Sequence, residues 1–194
     1  MDGTHPFDPT EVTTDELAHT IGAEYVNCSF QSEQSELTQE SYRNIARING
    51  GKFASLMSEV DVVFTEDDPY ASYQDMKEKV EETDTLKVFS GGTHPDPRFM
   101  TETENVIGRA VHDYYGHLSA DVNFSFEGEF RKWQHVKDDY FPRDREVLFA
   151  EVVGQLSAAK FLDGGFADPR FEQREIRAPQ RWIDWTKEHI AAKE

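Results

Sequence analysis

A chain of 194 residues fits one domain and is long enough to bury a sizeable core. Its 38 Asp and Glu against 20 Lys and Arg, a net charge of −18, repel nucleic acid and anionic membranes, so nucleic-acid binding is disfavoured and the expected partner is a small molecule. No apolar run reaches the roughly 18 residues of a membrane span and no signal-peptide pattern opens the chain, while the single Cys28 excludes an internal disulfide and any CxxC metal site.

Disorder is argued against by the 14 Phe and several periodic apolar runs. The acidity reads instead as a halophilic surface. Nine lysines are few, and scattered carboxylates such as FTEDDPY and KEKVEETDT keep a chain hydrated in concentrated salt.

Residues 1–36 are polar and read as an irregular N-terminal arm with one short helix; residues 37–194 read as a single globular domain. From Leu37, the spacing of Tyr42, Ile45 and Ile48 predicts a helix that stops at Asn49-Gly50-Gly51. VDVVFTEDD reads as a strand, SYQDMKEKVEETDT as an exposed helix with Tyr73, Met76 and Val80 inward, and LKVF as a second strand closed by Gly91-Gly92. THPDPRF is a proline-stiffened loop. Thr101 with Glu104 three residues on is a capping box, and that helix is expected to run to about residue 115 or 116. Further helices are expected at 128–136, 143–162 and over PQRWIDWTKEHIAAKE. The expected fold is α+β, predominantly helical, with two or more short strands.

Polar residues set into apolar helices carry the chemistry. Val106, Ala110, Val111 and Tyr114 form the apolar stripe of one helix, yet it also holds His112, Asp113 and His117. Asp113 and His117 are four apart and share a face if the helix persists. Imidazole suits transition metals and carboxylate oxygens admit Mg or Mn, so these three residues are metal-ligand candidates for a divalent ion, Mn, Mg or Zn. A His–Asp hydrogen bond that orients a half-buried ring is the plain alternative.

The 143–162 helix is apolar or small nearly all round between Val147 and Leu162, which marks it as buried. Glu151 and Gln155 lie four apart within it. A buried carboxylate must meet a cation, donors or a metal; a structural network with Arg109 or His135 is the alternative. Glu129 and His135, on the helix between, can face the same space. HExxH zinc sites require histidines four apart, and here they are five apart; paired Glu-x-x-His, GxSxG, Walker A and GxGxxG patterns do not occur. His94, in its loop, is a minor ligand candidate.

Two resemblances attach to these residues. AVHDYYGH followed by EGE is similar to the HD-domain phosphohydrolases, most closely their dNTP triphosphohydrolase branch. That likeness implies His112 and Asp113 as the metal pair and His117 and Glu129 as active-site residues. This chain has one extra residue between Asp113 and Gly116 and has Phe126-Glu127 where a second GH would stand. Over Glu66 to Gln155 the chain also resembles a family of uncharacterised proteins encoded by tailed viruses, with a DPY segment, an L-V-F strand, the HD-(aromatic)-GH helix and a later E-x-x-G-Q. With the acidic composition, this implies a haloarchaeal virus and a place in the host cytoplasm or the virion.

The combined expectation is a virus-encoded metal-dependent hydrolase acting on a phosphate ester or nucleotide. His112, Asp113 and His117 would hold the metal, Glu129, Glu151 and His117 would be catalytic, and Arg109 and Gln155 would meet the substrate. The rival expectation is a non-enzymatic virion or host-interaction protein in which the same side chains form a buried hydrogen-bond network.

Overall fold

A computed structural model describes residues 7–27, 36–92 and 94–194. It is predominantly helical with one small parallel sheet. Parts of the expected arm, residues 1–6 and 28–35, lie outside the described residues. So does Thr93, which opens the expected proline loop.

Helix α1 (Thr14–Val26) begins with Thr13, whose hydroxyl accepts from the Glu16 amide while the Glu16 carboxylate accepts from the Thr13 amide. Leu17, Ala18, Ile21 and Tyr25 recur at helical spacing and are buried in the main core. Burial of side chains such as Leu17 and Ile21 is worth roughly 1.5–3 kcal/mol each. Residues 14–26, in the segment where one short helix was expected, thus form a core helix packed on the later helix Gln155–Phe161.

Helix α2 (Glu36–Leu56) buries Tyr42 and Ile45, while Leu37 is exposed. The expected stop at Gly50-Gly51 is corrected, because the helix continues for another turn and a half. A Cβ at either glycine would meet nothing within 4 Å, so both lie on open ground. Phe53 and Leu56 beyond them pack against the sheet, and this tertiary burial outweighs the glycine helix penalty of about 1 kcal/mol each.

Strand β1 (Asp61–Thr65) pairs in parallel with β2 (Thr85–Phe89), Val63 opposite Lys87, and α3 (Tyr73–Thr83) is the crossover between them. Met76, Leu86, Val88 and Leu56 make a second small core. Helix α4 (Glu102–Val111) starts with the expected Thr101–Glu104 box and puts Ala110 into that second core. It runs on as a π-helix, His112–Leu118.

Helix α5 (Phe126–Val136) places Phe130 and Trp133 against Phe149, the Trp133 and Phe149 ring centroids 5.2 Å apart. Helix α6 (Arg145–Phe149), a π-helical stretch (Ala150–Gly154) and α7 (Gln155–Phe161) form one continuous rod. Helix α8 (Gln180–Ala191) closes the main core with Trp182 and Ile183. Among the described residues no helix is long and apolar enough to cross a membrane.

Candidate functional site

A cavity of about 500 Å³ lies where α2, α4, α5 and the α6–α7 rod meet the sheet. His112, Asp113, Glu129, Glu151, Gln155 and Arg109 all line it. Two of the segments that line it, His112–Leu118 with His112 and Asp113 and Ala150–Gly154 with Glu151, are π-helical. A π-turn bonds i to i+5: the Ser119 amide donates to the Tyr114 carbonyl at 2.9 Å and the Gln155 amide to the Ala150 carbonyl.

That geometry decides which side chains meet. On an α-helix, residues five apart point about 140° away from each other. Here the wider turn brings His112 and His117 together, with ring centroids 4.8 Å apart and the two Nε2 atoms 3.0 Å apart. Glu129 comes across from α5, its Oε1 3.1 Å from His117 Nε2 and 3.6 Å from His112 Nε2. His112, His117 and Glu129 thus present three ligand atoms within 4.8 Å of one another, a group that could hold a metal ion.

The protons can be placed. The Val122 carbonyl only accepts, so His117 Nδ1, 3.0 Å away, donates to it. His117 Nε2 then turns toward Glu129 Oε1 and His112 Nε2, at 3.1 and 3.0 Å. Fixing the outer nitrogen on a carbonyl is how proteins orient a metal-binding histidine. The His112 ring is held neutral: burial first, then the adjacent Lys132, bring it down to about 4, against the pull of Glu129. The Lys132 ammonium donates to His112 Nδ1, so the His112 proton sits on Nε2 and points at His117. Burial works to raise the Glu129 carboxyl, but Lys132, His112 and His117 outweigh it and hold it well below the usual carboxylate range.

Asp113 lines the cavity beside this group but is not among its three ligand atoms. Burial pushes its carboxyl up to about 7, while His117, Lys132 and Arg109 pull the other way. Arg109 donates from Nη1 to the carbonyls of Phe89 and Gly91, at 3.1 and 2.6 Å. Burial lowers the Arg109 guanidinium, while the Asp113 and Glu151 carboxylates favour its charge.

Glu151 occupies another part of the wall. Its Oε1 accepts from the Tyr42 hydroxyl and its Oε2 from the Gln155 and Gln173 amides at 2.8 and 2.9 Å. Burial raises it to about 7 despite those three donors. The expected i, i+4 pair of Glu151 and Gln155 is therefore a direct hydrogen bond. Tyr42, Gln155 and Gln173 make this hydrogen-bond network, and the Arg109 charge acts on it as well. His135 is exposed and does not face this space. His94 bonds Asn105 and stands 3.7 Å from Glu102, outside the ligand group.

Lys132 is the residue that sequence reasoning overlooked. Its signal was local: three positions after Glu129 it falls on the same helix face, in a segment where Trp133 already marks burial. Tyr42 and Gln173 had no local signal, standing 109 and 22 residues from Glu151. Comparison with family models, curated proteins and solved structures yields no significant match.

Proposed function

We propose that this chain is a metal-dependent hydrolase that holds one transition-metal ion on His112, His117 and Glu129 and takes a phosphate ester or nucleotide into the adjoining cavity. The observation that carries the reading is the convergence of three ligating side chains: His117 Nε2 lies 3.1 Å from Glu129 Oε1 and 3.0 Å from His112 Nε2, and the ligand atoms of all three residues fall within 4.8 Å of one another. A further sign is Glu129 Oε2, buried without a hydrogen-bond donor; Lys132 Nζ is 3.3 Å away but off the line a hydrogen bond needs. Two imidazoles and a carboxylate suit Zn or Mn better than Mg, which prefers oxygen ligands.

When bound, such an ion supplies Lewis acidity and lowers the pKa of a water toward about 7. Among the carboxylates, Asp113 is assigned the proton-carrying role. Glu129 is spent as a ligand, whereas Asp113 lines the cavity beside the ligand group and burial pushes its carboxyl up to about 7. Glu151, raised by burial and held by the Tyr42, Gln173 and Gln155 donors, is assigned with Gln155 to substrate orientation. Arg109, which lines the cavity, is assigned to meet the anion. The net charge of −18 supports the accompanying expectation of a halophilic chain, and its virus-encoded origin rests on the resemblance over Glu66 to Gln155.

One observation favours a second reading, a non-enzymatic virion or host-interaction protein: Lys132 already supplies Glu129 with a buried positive charge. Metal analysis after chelation, reloading and dialysis, followed by a p-nitrophenyl phosphate and nucleotide panel at high salt, separates the two. One retained equivalent of metal and metal-dependent turnover, both lost in His117→Ala, are expected. No retained metal and no turnover would leave the second reading.

A further inference from the structure

We propose that Lys132 is the resident cation of the His112–His117–Glu129 group, and that a metal ion binds only by displacing its ammonium. The inference rests on the metal-site reading above and names what controls that site. Lys132 is 2% exposed although lysine is among the residues least often buried. Its Nζ touches His112 at Nδ1 and lies 3.3 Å from His112 Nε2 and 3.3 Å from Glu129 Oε2. It therefore contacts two of the three residues that would ligate the ion, and comes within 3.3 Å of the His112 nitrogen that faces His117. An ammonium and a divalent ion at such separations repel strongly in a buried setting, so both cannot stay.

A second observation shows that the lysine's place is built. Its stem crosses Gly116 in the π-turn, where a Cβ would stand 2.6 Å from Lys132 Cδ and 2.7 Å from Cγ. Any larger residue at 116 would force the stem aside. The same π-turn that pairs the histidines thus carries the slot for their cation. The cavity borders Lys132, so a displaced ammonium has space to enter without unfolding the helix. In this arrangement the protein stays charge-balanced before metal arrives, and the ion must outcompete an internal charge to bind.

Two substitutions test this by independent routes. Lys132→Met keeps the length and removes the charge. Gly116→Ala leaves the lysine in the chain but wedges its stem out of the slot, and alanine is favoured over glycine in a helix. Zn²⁺ and Mn²⁺ affinities of the full chain are measured by titration against a chromophoric chelator in molar KCl, with a melt of each variant to confirm folding. Both variants are expected to bind at least 10-fold more tightly than the wild type, including the case in which only the variants bind measurably. A wild type that binds while Lys132→Met and Gly116→Ala bind equally or more weakly overturns the inference and leaves the metal site standing. If all three fail to bind either ion, the metal reading fails and this inference with it.

Discussion

Replacing Glu151 by Gln removes one charge from the cavity wall and leaves the shape. The hydrogen bonds can be kept. The new amide oxygen accepts from Gln155 and Gln173, as Oε2 does at 2.8 and 2.9 Å. The new NH₂ donates to the Tyr42 oxygen, and the Tyr42 hydroxyl turns to the Arg174 carbonyl, 3.4 Å from it. What changes is the cost of ionisation. Burial raises the Glu151 carboxyl from 4.5 to about 7, and each unit is worth about 1.4 kcal/mol. Because the side chain borders a cavity and is only partly shielded from solvent, a cost of about 1–3 kcal/mol at pH 8 is the appropriate range. The sign follows from proton uptake. Between pH 4.5 and 7 the folded chain holds this proton and the unfolded chain does not, so stability conferred by the raised pKa is full below 4.5 and lost as pH rises through 7. Glu151→Gln should therefore melt higher than the wild type at pH 8, by about 2–4 °C per kcal/mol for a chain of this size, and nearly level with it at pH 5. Calorimetry at both pH values in molar KCl measures this. Metal content should stay unchanged, since the three ligand atoms lie elsewhere on the wall. A loss of about 3–5 kcal/mol at pH 8 would mean that Glu151 is half of a buried ion pair, and would refute the reasoning.

Two more outcomes follow from packing and charge. Gly22→Ala would set a Cβ 2.1 Å from the Ser157 carbonyl oxygen and 2.8 Å from Phe161 Cβ; the clash should destabilise by about 1–3 kcal/mol or more, and an unchanged melting temperature would show that α1 does not dock on α7 this closely. With a net charge of −18 and screening within about 3 Å at molar salt, the melting temperature should climb from low to molar KCl; a flat response would sink the halophilic reading.

Much of the architecture was legible because it is encoded over a few neighbouring residues. The Thr101–Glu104 box, the inward Met76 of α3, the β-branched strands and the all-round apolar rod holding Glu151 and Gln155 are patterns of one or two turns, and each forms close to where the spacing put it. The Thr13–Glu16 box was equally legible, but the polar composition around it hid a core helix. Gly50-Gly51 shows the reverse error, since a stop signal yields when residues beyond it find a core to enter. The candidate site was legible only as an inventory. His112, Asp113, His117 and Glu129 stand out by residue type, but which of them meet depends on whether residues 112–118 wind as α or π. The two windings differ by one residue in hydrogen-bond register, and no periodicity in so short a segment distinguishes them. The π-turn pairs the histidines five apart, leaves Asp113 beside the ligand group and opens the slot at Gly116 for Lys132. Tyr42 and Gln173 reach Glu151 from distant parts of the chain. Side-chain type and local spacing nominated the chemistry; only tertiary packing, which settles backbone register and brings distant donors to one carboxylate, decided who faces whom.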